Sequence, residues 1–135
     1  MALLTWNEKY SVGVYELDGQ HTGLFGILND LHDAMMKGQA QSLTGPLLKK
    51  LVEYTRKHFK DEEAMMARTS YPGLAAHRVL HQELVKQVES YVGRFERGEI
   101  TLNVHLLNFL RDWLTNHIQK TDHQYGPWLN EHGVR

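Results

Sequence analysis

Histidine is the side chain with the clearest capacity for chemistry in this sequence. Nine histidines occur in 135 residues, whereas the chain contains no cysteine. Imidazole binds transition metals readily, and the lack of cysteine excludes disulfides, thiolate metal sites and cysteine nucleophiles. Any metal site must therefore be built from imidazoles and carboxylates. The histidines are at positions 21, 32, 58, 77, 81, 105, 117, 123 and 132.

Two local spacings place possible metal ligands on one helix face. His77 and His81 are four residues apart, and so are His58 and Glu62. Side chains at that spacing share a face of an α-helix, about 6 Å apart along the axis. Each spacing occurs once, close to the number that chance would give for this composition. The two pairs permit a metal site but do not predict one by themselves.

Four segments with helical apolar spacing carry these residues. Apolar side chains recur every three or four positions, and glycines and prolines separate the segments. The pattern predicts an all-α fold, an up-down-up-down four-helix bundle with short loops. We expect Asp18 to cap the first helix and Leu80 to lie on the buried face of the third. The predicted helices span about residues 18–37, 42–67, 74–97 and 101–120, between an N-terminal arm (1–17) and a C-terminal tail (121–135).

The composition is that of one soluble globular domain spanning residues 1–135. Hydrophobic residues make up 41%, charged residues 23%, and the net charge is -1. This near-neutral balance argues against nucleic-acid binding. No apolar run is long enough for a membrane helix, and the first residues do not resemble a signal peptide. We therefore expect a cytoplasmic, monomeric protein with no membrane segment.

Each predicted helix directs at least one histidine toward the core. A buried imidazole or carboxylate without a partner is costly, so six such groups would need six separate hydrogen-bonding solutions if their role were structural. A metal centre would satisfy all of them together. We therefore interpret these six residues as metal ligands: His21, His58, Glu62, His77, His81 and His117.

Asp122 is a seventh candidate, although periodicity alone favours a solvated carboxylate at this position. It follows His117 by five residues, which is about 140° around an α-helix. It reaches the same centre only if the helix ends or loosens near Thr121, and otherwise it is a solvated carboxylate. The remaining histidines are expected outside the site, namely His32, His105, His123 and His132.

Short motifs of one known family recur along nearly the whole chain. They are Trp6 with Tyr10-Ser11-Val12-Gly13, Asp18-Gly19-Gln20-His21, His58-Phe59-Lys60-Asp61-Glu62-Glu63, Pro72 before His77-x-x-x-His81, Trp113-Leu114-x-x-His117-Ile118, and Asp122-x-x-Tyr125. Each motif alone is unspecific. In this order and at this separation, they make the chain resemble the hemerythrin family and, more narrowly, its single-domain bacterial members.

The resemblance implies two iron ions inside the bundle. One iron would be held by His77, His81 and His117, and the other by His21 and His58. Glu62, Asp122 and an oxo or hydroxo group would bridge the two ions. These ligands leave one coordination place open, on the iron with two histidines. The family binds O2 reversibly at that place, as hydroperoxide.

A carrier, storage or delivery protein for O2 is therefore the expected function, and not an enzyme. Ferritin-like oxygenases use four carboxylates, whereas this site would have two. An apolar surround would keep protons away from bound O2, although plain core packing explains the same residues: Phe25, Phe59, Trp113, Leu114 and Ile118. Two alternatives remain open. One is a sensor of O2 or redox state that acts through a separate partner, and the other is a di-iron enzyme for peroxide, nitric oxide or iron detoxification.

Overall fold

Four long helices make up most of the structure, a computed structural model that describes residues 4–37, 40–99 and 104–135. Helix α1 packs against α2 and α4, and α2 also packs against α3. The predicted all-α four-helix bundle is confirmed. The helices are α1 (Tyr15–Met36), α2 (Ala40–Arg68), α3 (Leu74–Glu96), α4 (Val104–Asn116) and a short α5 (Gly126–Glu131).

The apolar core consists of two clusters. The larger contains Leu24 of α1 and Phe59 of α2, and the smaller contains Leu17 and Met66 of the same helices. Along α1, His21 lies between Leu17 and Leu24, so a polar layer interrupts the core between the clusters. Burial of the apolar side chains on both sides excludes water from this layer.

Helix α1 begins earlier than the sequence predicts. Asp18 was expected at the N-cap, but the helix starts at Tyr15 and the cap residue is Val14. Instead, the Asp18 carboxylate accepts hydrogen bonds from Ser11 Oγ (2.6 Å) and from the backbone N–H of Val12 (2.8 Å). A carboxylate is favourable in the first turn of a helix, and here it also ties the N-terminal arm to the bundle.

One further expectation differs from the structure. Leu80 is 40% exposed, so its predicted burial is wrong: the buried face of α3 follows His77, His81 and Val88. The predicted C-terminal tail continues as helical turns and ends in α5. The predicted start of the fourth helix near residue 101 lies outside the described residues.

None of the described helices combines the length and the apolar character needed to cross a bilayer.

Gly126 approaches the backbone of the N-terminal arm too closely to tolerate a side chain. A Cβ atom at this position would lie 2.3 Å from the carbonyl oxygen of Val12. We expect Gly126→Ala to lower the free energy of unfolding by about 1–3 kcal/mol, because the arm must shift. Urea unfolding of the variant measures this loss.

Gly26→Ala is the matched control for this substitution. Gly26 is exposed in α1, and a Cβ atom there has no neighbour within 4 Å. Alanine favours the helix over glycine by roughly 0.5–1 kcal/mol, so this variant should be more stable than the parent protein. Equal urea midpoints for the two variants would contradict the proposed contact.

Candidate metal centre

Seven buried side chains that could bind metal converge inside the bundle. Helix α1 contributes one of them, α2 two, α3 two, and the segment after α4 the last two. Each is at most 7% exposed, and both carboxylates are fully buried. They are the seven candidates taken from the sequence, which the structure brings together: His21, His58, Glu62, His77, His81, His117 and Asp122.

One oxygen of each carboxylate faces the pair formed by His21 and His58. Glu62 Oε2 lies 3.2 Å from His21 Nε2 and 2.9 Å from His58 Nε2. Asp122 Oδ2 lies 3.1 Å from His21 Nε2. Two imidazoles and two carboxylate oxygens thus form one group of possible ligands.

The other oxygen of each carboxylate faces three imidazoles. Glu62 Oε1 lies 3.6 Å from His77 Nε2 and 3.2 Å from His81 Nε2. Asp122 Oδ1 lies 3.1 Å from Nε2 of both His77 and His117. Each carboxylate therefore offers one oxygen to each group, which is the arrangement that bridging of two ions requires.

A local change in helix type brings Asp122 to the site. After Asn116 the helix widens into a π-helical turn over His117–Thr121. The backbone N–H of Asp122 bonds to the carbonyl of His117, five residues back, as π-helices do. Asp122 therefore lies on the same face as His117, whereas the α-helical angle of about 140° would turn it away.

Burial and charge act in opposite directions on the pKa values of the cluster. Burial lowers the pKa of His21 and of His77, but the adjacent carboxylates of Asp122 and Glu62 outweigh burial and raise it to about 9. Burial raises the pKa of Glu62, yet the charge of His58 and the close contacts with the imidazoles of His21, His58 and His77 hold it well below its usual range. In the protein without metal, two anionic carboxylates thus hold protons on neighbouring imidazoles.

Many polar atoms of the cluster have no hydrogen-bond partner among the described residues. Buried polar atoms normally have one, and imidazole nitrogens with carboxylate oxygens suit first-row transition metals. Within each of the two ligand groups, the donor atoms lie within 4.8 Å of one another. The donor set therefore fits two adjacent ions. The unpartnered atoms facing the cluster are Nε2 of His58, His77, His81 and His117, Oε1 of Glu62, and both carboxylate oxygens of Asp122.

Three residues missed by the sequence analysis contact the cluster from outside. The Tyr125 hydroxyl donates a hydrogen bond to Glu62 Oε2 (2.8 Å). Gln20 Oε1 lies 2.5 Å from His58 Nδ1, and Glu63 Oε2 lies 2.9 Å from His81 Nδ1. All three fall within the recurring motifs. Periodicity could not assign them partners, because each contact joins different helical segments.

The five apolar residues expected to line an O2 pocket differ in their position relative to the possible metal ligands. The Phe59 ring stacks on the His81 imidazole, with centroids 3.6 Å apart and an interplanar angle of 1°. Leu114 and Ile118 are buried within a turn of His117, and Trp113 is nearly buried. Phe25 packs edge-on against Trp6 and Tyr10 of the arm. Phe59 is thus the candidate with a direct ring contact to a possible ligand.

The four remaining histidines lie outside both ligand groups. His105 and His132 are exposed, and the latter stacks on Trp128 with ring centroids 4.2 Å apart. His32 and His123 are half-buried.

Comparison with known proteins shows that the chain matches one family over most of its length. The family described as "Hemerythrin HHE cation binding domain" matches residues 12–129. The chain is 38% identical to a bacteriohemerythrin of Methylococcus capsulatus over 96% of its own length and 99% of the relative. It is 31% identical to myohemerythrin-1 of Phascolopsis gouldii, over 89% of each chain. The structure superposes on a solved structure of wild-type hemerythrin with a TM-score of 0.89. The two chains are 39% identical, and the match covers 95% of this chain and 98% of the other.

The metal-free protein should lose stability as the pH rises from 6.5 to about 9. His21 and His77 have folded-state pKa values of about 9, above the ordinary 6.5. Protonation of these groups therefore stabilises the fold fully below pH 6.5, and this contribution is lost as the pH passes the folded-state pKa. Bound metal replaces the protons, so the loaded protein should lose less. Urea unfolding of chelated and loaded protein at pH 6.5 and 9 measures the difference, and equal losses would contradict the prediction.

Proposed function

Because the chain belongs to the hemerythrin family, we propose that it binds O2 reversibly at a non-haem di-iron centre, as an oxygen carrier, storage or delivery protein. Hemerythrins are O2 carriers, and the cluster of buried imidazoles and carboxylates suits two iron ions. The proposed iron ligands are His21, His58, Glu62, His77, His81, His117 and Asp122.

The unequal division of the imidazoles is the observation that carries this proposal. Three face one pair of carboxylate oxygens and two face the other pair. Two ions with equal carboxylate ligands therefore differ by one imidazole, and the ion with fewer has a place for a small ligand. Two ferrous ions, when bound, would supply the electrons that O2 takes up, and the ion held by His21 and His58 would supply the open place.

The surrounding side chains determine which reactions the site favours. Leu114 and Ile118 are almost completely buried, and Phe59 covers one face of the His81 ring. Such a surround limits the access of water and protons. Among the described residues, Glu62 and Asp122 are the only carboxylates in either ligand group. With fewer anionic ligands than the four carboxylates of the ferritin-like oxygenases, high-valent iron is less stabilised, which supports a carrier over an enzyme.

A monomer is the proposed oligomeric state. The large exposed apolar side chains of the described residues are scattered, with Tyr15 and Met36 near opposite ends of α1 and with Val79 and Leu80 on α3. Scattered apolar residues are ordinary on a monomer, whereas stable interfaces use larger continuous patches.

The first test of the proposed function combines an iron assay with visible spectroscopy. The protein is reduced without air, exposed to O2 and then deoxygenated. We expect two irons per chain and a charge-transfer band that appears with O2 and disappears on its removal. His58→Ala should lose iron and the band, whereas the exposed His105→Ala should keep both. A one-way oxidation would instead favour a redox sensor or enzyme, and a protein that takes up no iron would refute the proposal.

Leu114→Ala should speed irreversible oxidation of the iron centre. Leu114 is 2% exposed and lies one turn before His117, so its truncation opens space through which water reaches the site. Autoxidation after oxygenation is followed by the decay of the charge-transfer band.

Leu107→Ala controls for the loss of core packing. Leu107 is 1% exposed on the same helix, ten residues and therefore about 15 Å along the axis from His117. Both truncations should cost about 2–5 kcal/mol of stability, but only Leu114→Ala should oxidise faster. If both variants oxidise at the parent rate, Leu114 does not limit water access.

A further inference from the structure

A chain of polar side chains runs from His58 to the protein surface. His58 Nδ1 lies 2.5 Å from Gln20 Oε1. Gln20 Nε2 donates a hydrogen bond to Asp61 Oδ2 (2.9 Å), and the same oxygen accepts one from Lys57 Nζ (2.9 Å). His58 is therefore connected to an exposed ion pair through a neutral amide.

This chain fixes which nitrogen of His58 carries the proton. The Asp61 carboxylate, paired with Lys57, can only accept hydrogen bonds, so the Gln20 amide must turn its NH2 group toward Asp61 and its oxygen toward His58. His58 Nδ1 must then be the donor. In the neutral imidazole, Nε2 is consequently free of a proton and can bind a metal ion.

His81 is oriented by the same principle but with a charged acceptor. Its Nδ1 lies 2.9 Å from Glu63 Oε2, and Arg78 Nε donates to Glu63 Oε1 (3.1 Å). Hydrogen bonds to a carboxylate are stronger than those to an amide. The carboxylate attracts the ring proton and makes the opposite nitrogen a better electron donor to a metal.

We propose that Gln20 and Glu63 are positioning residues that make the two iron sites electronically unequal. Nδ1 of His58 donates to a neutral amide, whereas Nδ1 of His81 donates to an anionic carboxylate. The inference rests on the proposed function, because it concerns the iron that would bind O2. His21, the other imidazole of that iron, has no partner for Nδ1 among the described residues. The iron that meets O2 thus has the weaker donors, which disfavours its one-way oxidation.

Moving the negative charge to His58 is the direct test. In the double variant Gln20→Glu/Asp61→Asn, the new carboxylate accepts from His58, while the amide at position 61 turns its NH2 group toward that carboxylate. Lys57, which is bonded to the oxygen that this NH2 group replaces, must shift to the amide oxygen or to the new carboxylate. The net charge is unchanged. We expect this variant to bind two irons per chain and to autoxidise about tenfold faster. Its midpoint potential should fall by about 59 mV, which for one electron corresponds to a tenfold change in the ratio of oxidised to reduced iron.

Glu63→Gln tests the other half of the inference independently. This near-isosteric change removes the charge and keeps an acceptor for His81 when the amide oxygen takes the place of Oε2, while the exposed Arg78 loses its acceptor. The midpoint potential should rise, in the direction opposite to that of the double variant. A role that is only structural would not produce opposite shifts in two variants that both retain iron.

Gln20→Leu separates orientation from charge. Without an acceptor, the His58 ring loses its fixed tautomer, and we expect iron affinity to fall by about 10- to 100-fold. The double variant restores an acceptor and should restore iron binding. In zinc-loaded protein, 15N NMR should show the His58 ring proton on Nδ1 in both the parent and the double variant.

The outcomes distinguish this inference from the proposed function. If the parent protein binds two irons and O2 reversibly, but the double variant and Glu63→Gln both keep the parent midpoint potential, the inference is overturned and the proposed function stands. A parent protein without iron or without reversible O2 binding overturns the proposed function. Opposite shifts in the two variants, with iron retained, support the inference.

Discussion

The burial of two carboxylates among five imidazoles is the constraint on which the rest of the structure depends. Glu62 and Asp122 are fully buried, and buried charges are costly unless they are paired or bind metal. The favourable arrangement therefore requires imidazoles from several helices at the same level of the bundle. The apolar clusters on either side hold those helices together, but the polar layer determines their register. Protons on His21 and His77, whose pKa values are raised, balance the carboxylates in the metal-free chain, and metal ions would replace them.

The sequence predicts most of this site because helical periodicity is a local property. His21, His77 and His81 lie in apolar stripes that can be followed without knowing the fold. Asp122 could not be assigned in this way, because its direction depends on a π-helical turn. In that turn the Asp122 N–H bonds to the carbonyl of His117, five residues back, as well as to that of Ile118. The resemblance to hemerythrins included Asp122, whereas counting residues at 100° intervals favoured a solvated position.

The contacts to Nδ1 of His58 and of His81 could not be predicted from the sequence for a different reason. Gln20 meets His58 across α1 and α2, and Glu63 meets His81 across α2 and α3. Such pairs depend on interhelical register, which a stripe of apolar residues does not specify. The expected burial of Leu80 was wrong on the same ground, since a position at the edge of a stripe can be covered or exposed depending on the neighbouring helix. The all-α bundle itself required only the stripes and the breaks between them.

The depth of the cluster also bears on how fast a bound ion could exchange. Its donors come from α1, α2, α3 and the segment after α4, and each donor residue is at most 7% exposed. An ion bound there cannot dissociate through small side-chain movements alone, since the helices carrying its ligands must first separate. Exchange with ions in solution would then be limited by transient opening of the bundle, the same process that amide hydrogen exchange measures. A bound ion could therefore be retained for kinetic reasons even where its equilibrium affinity is modest.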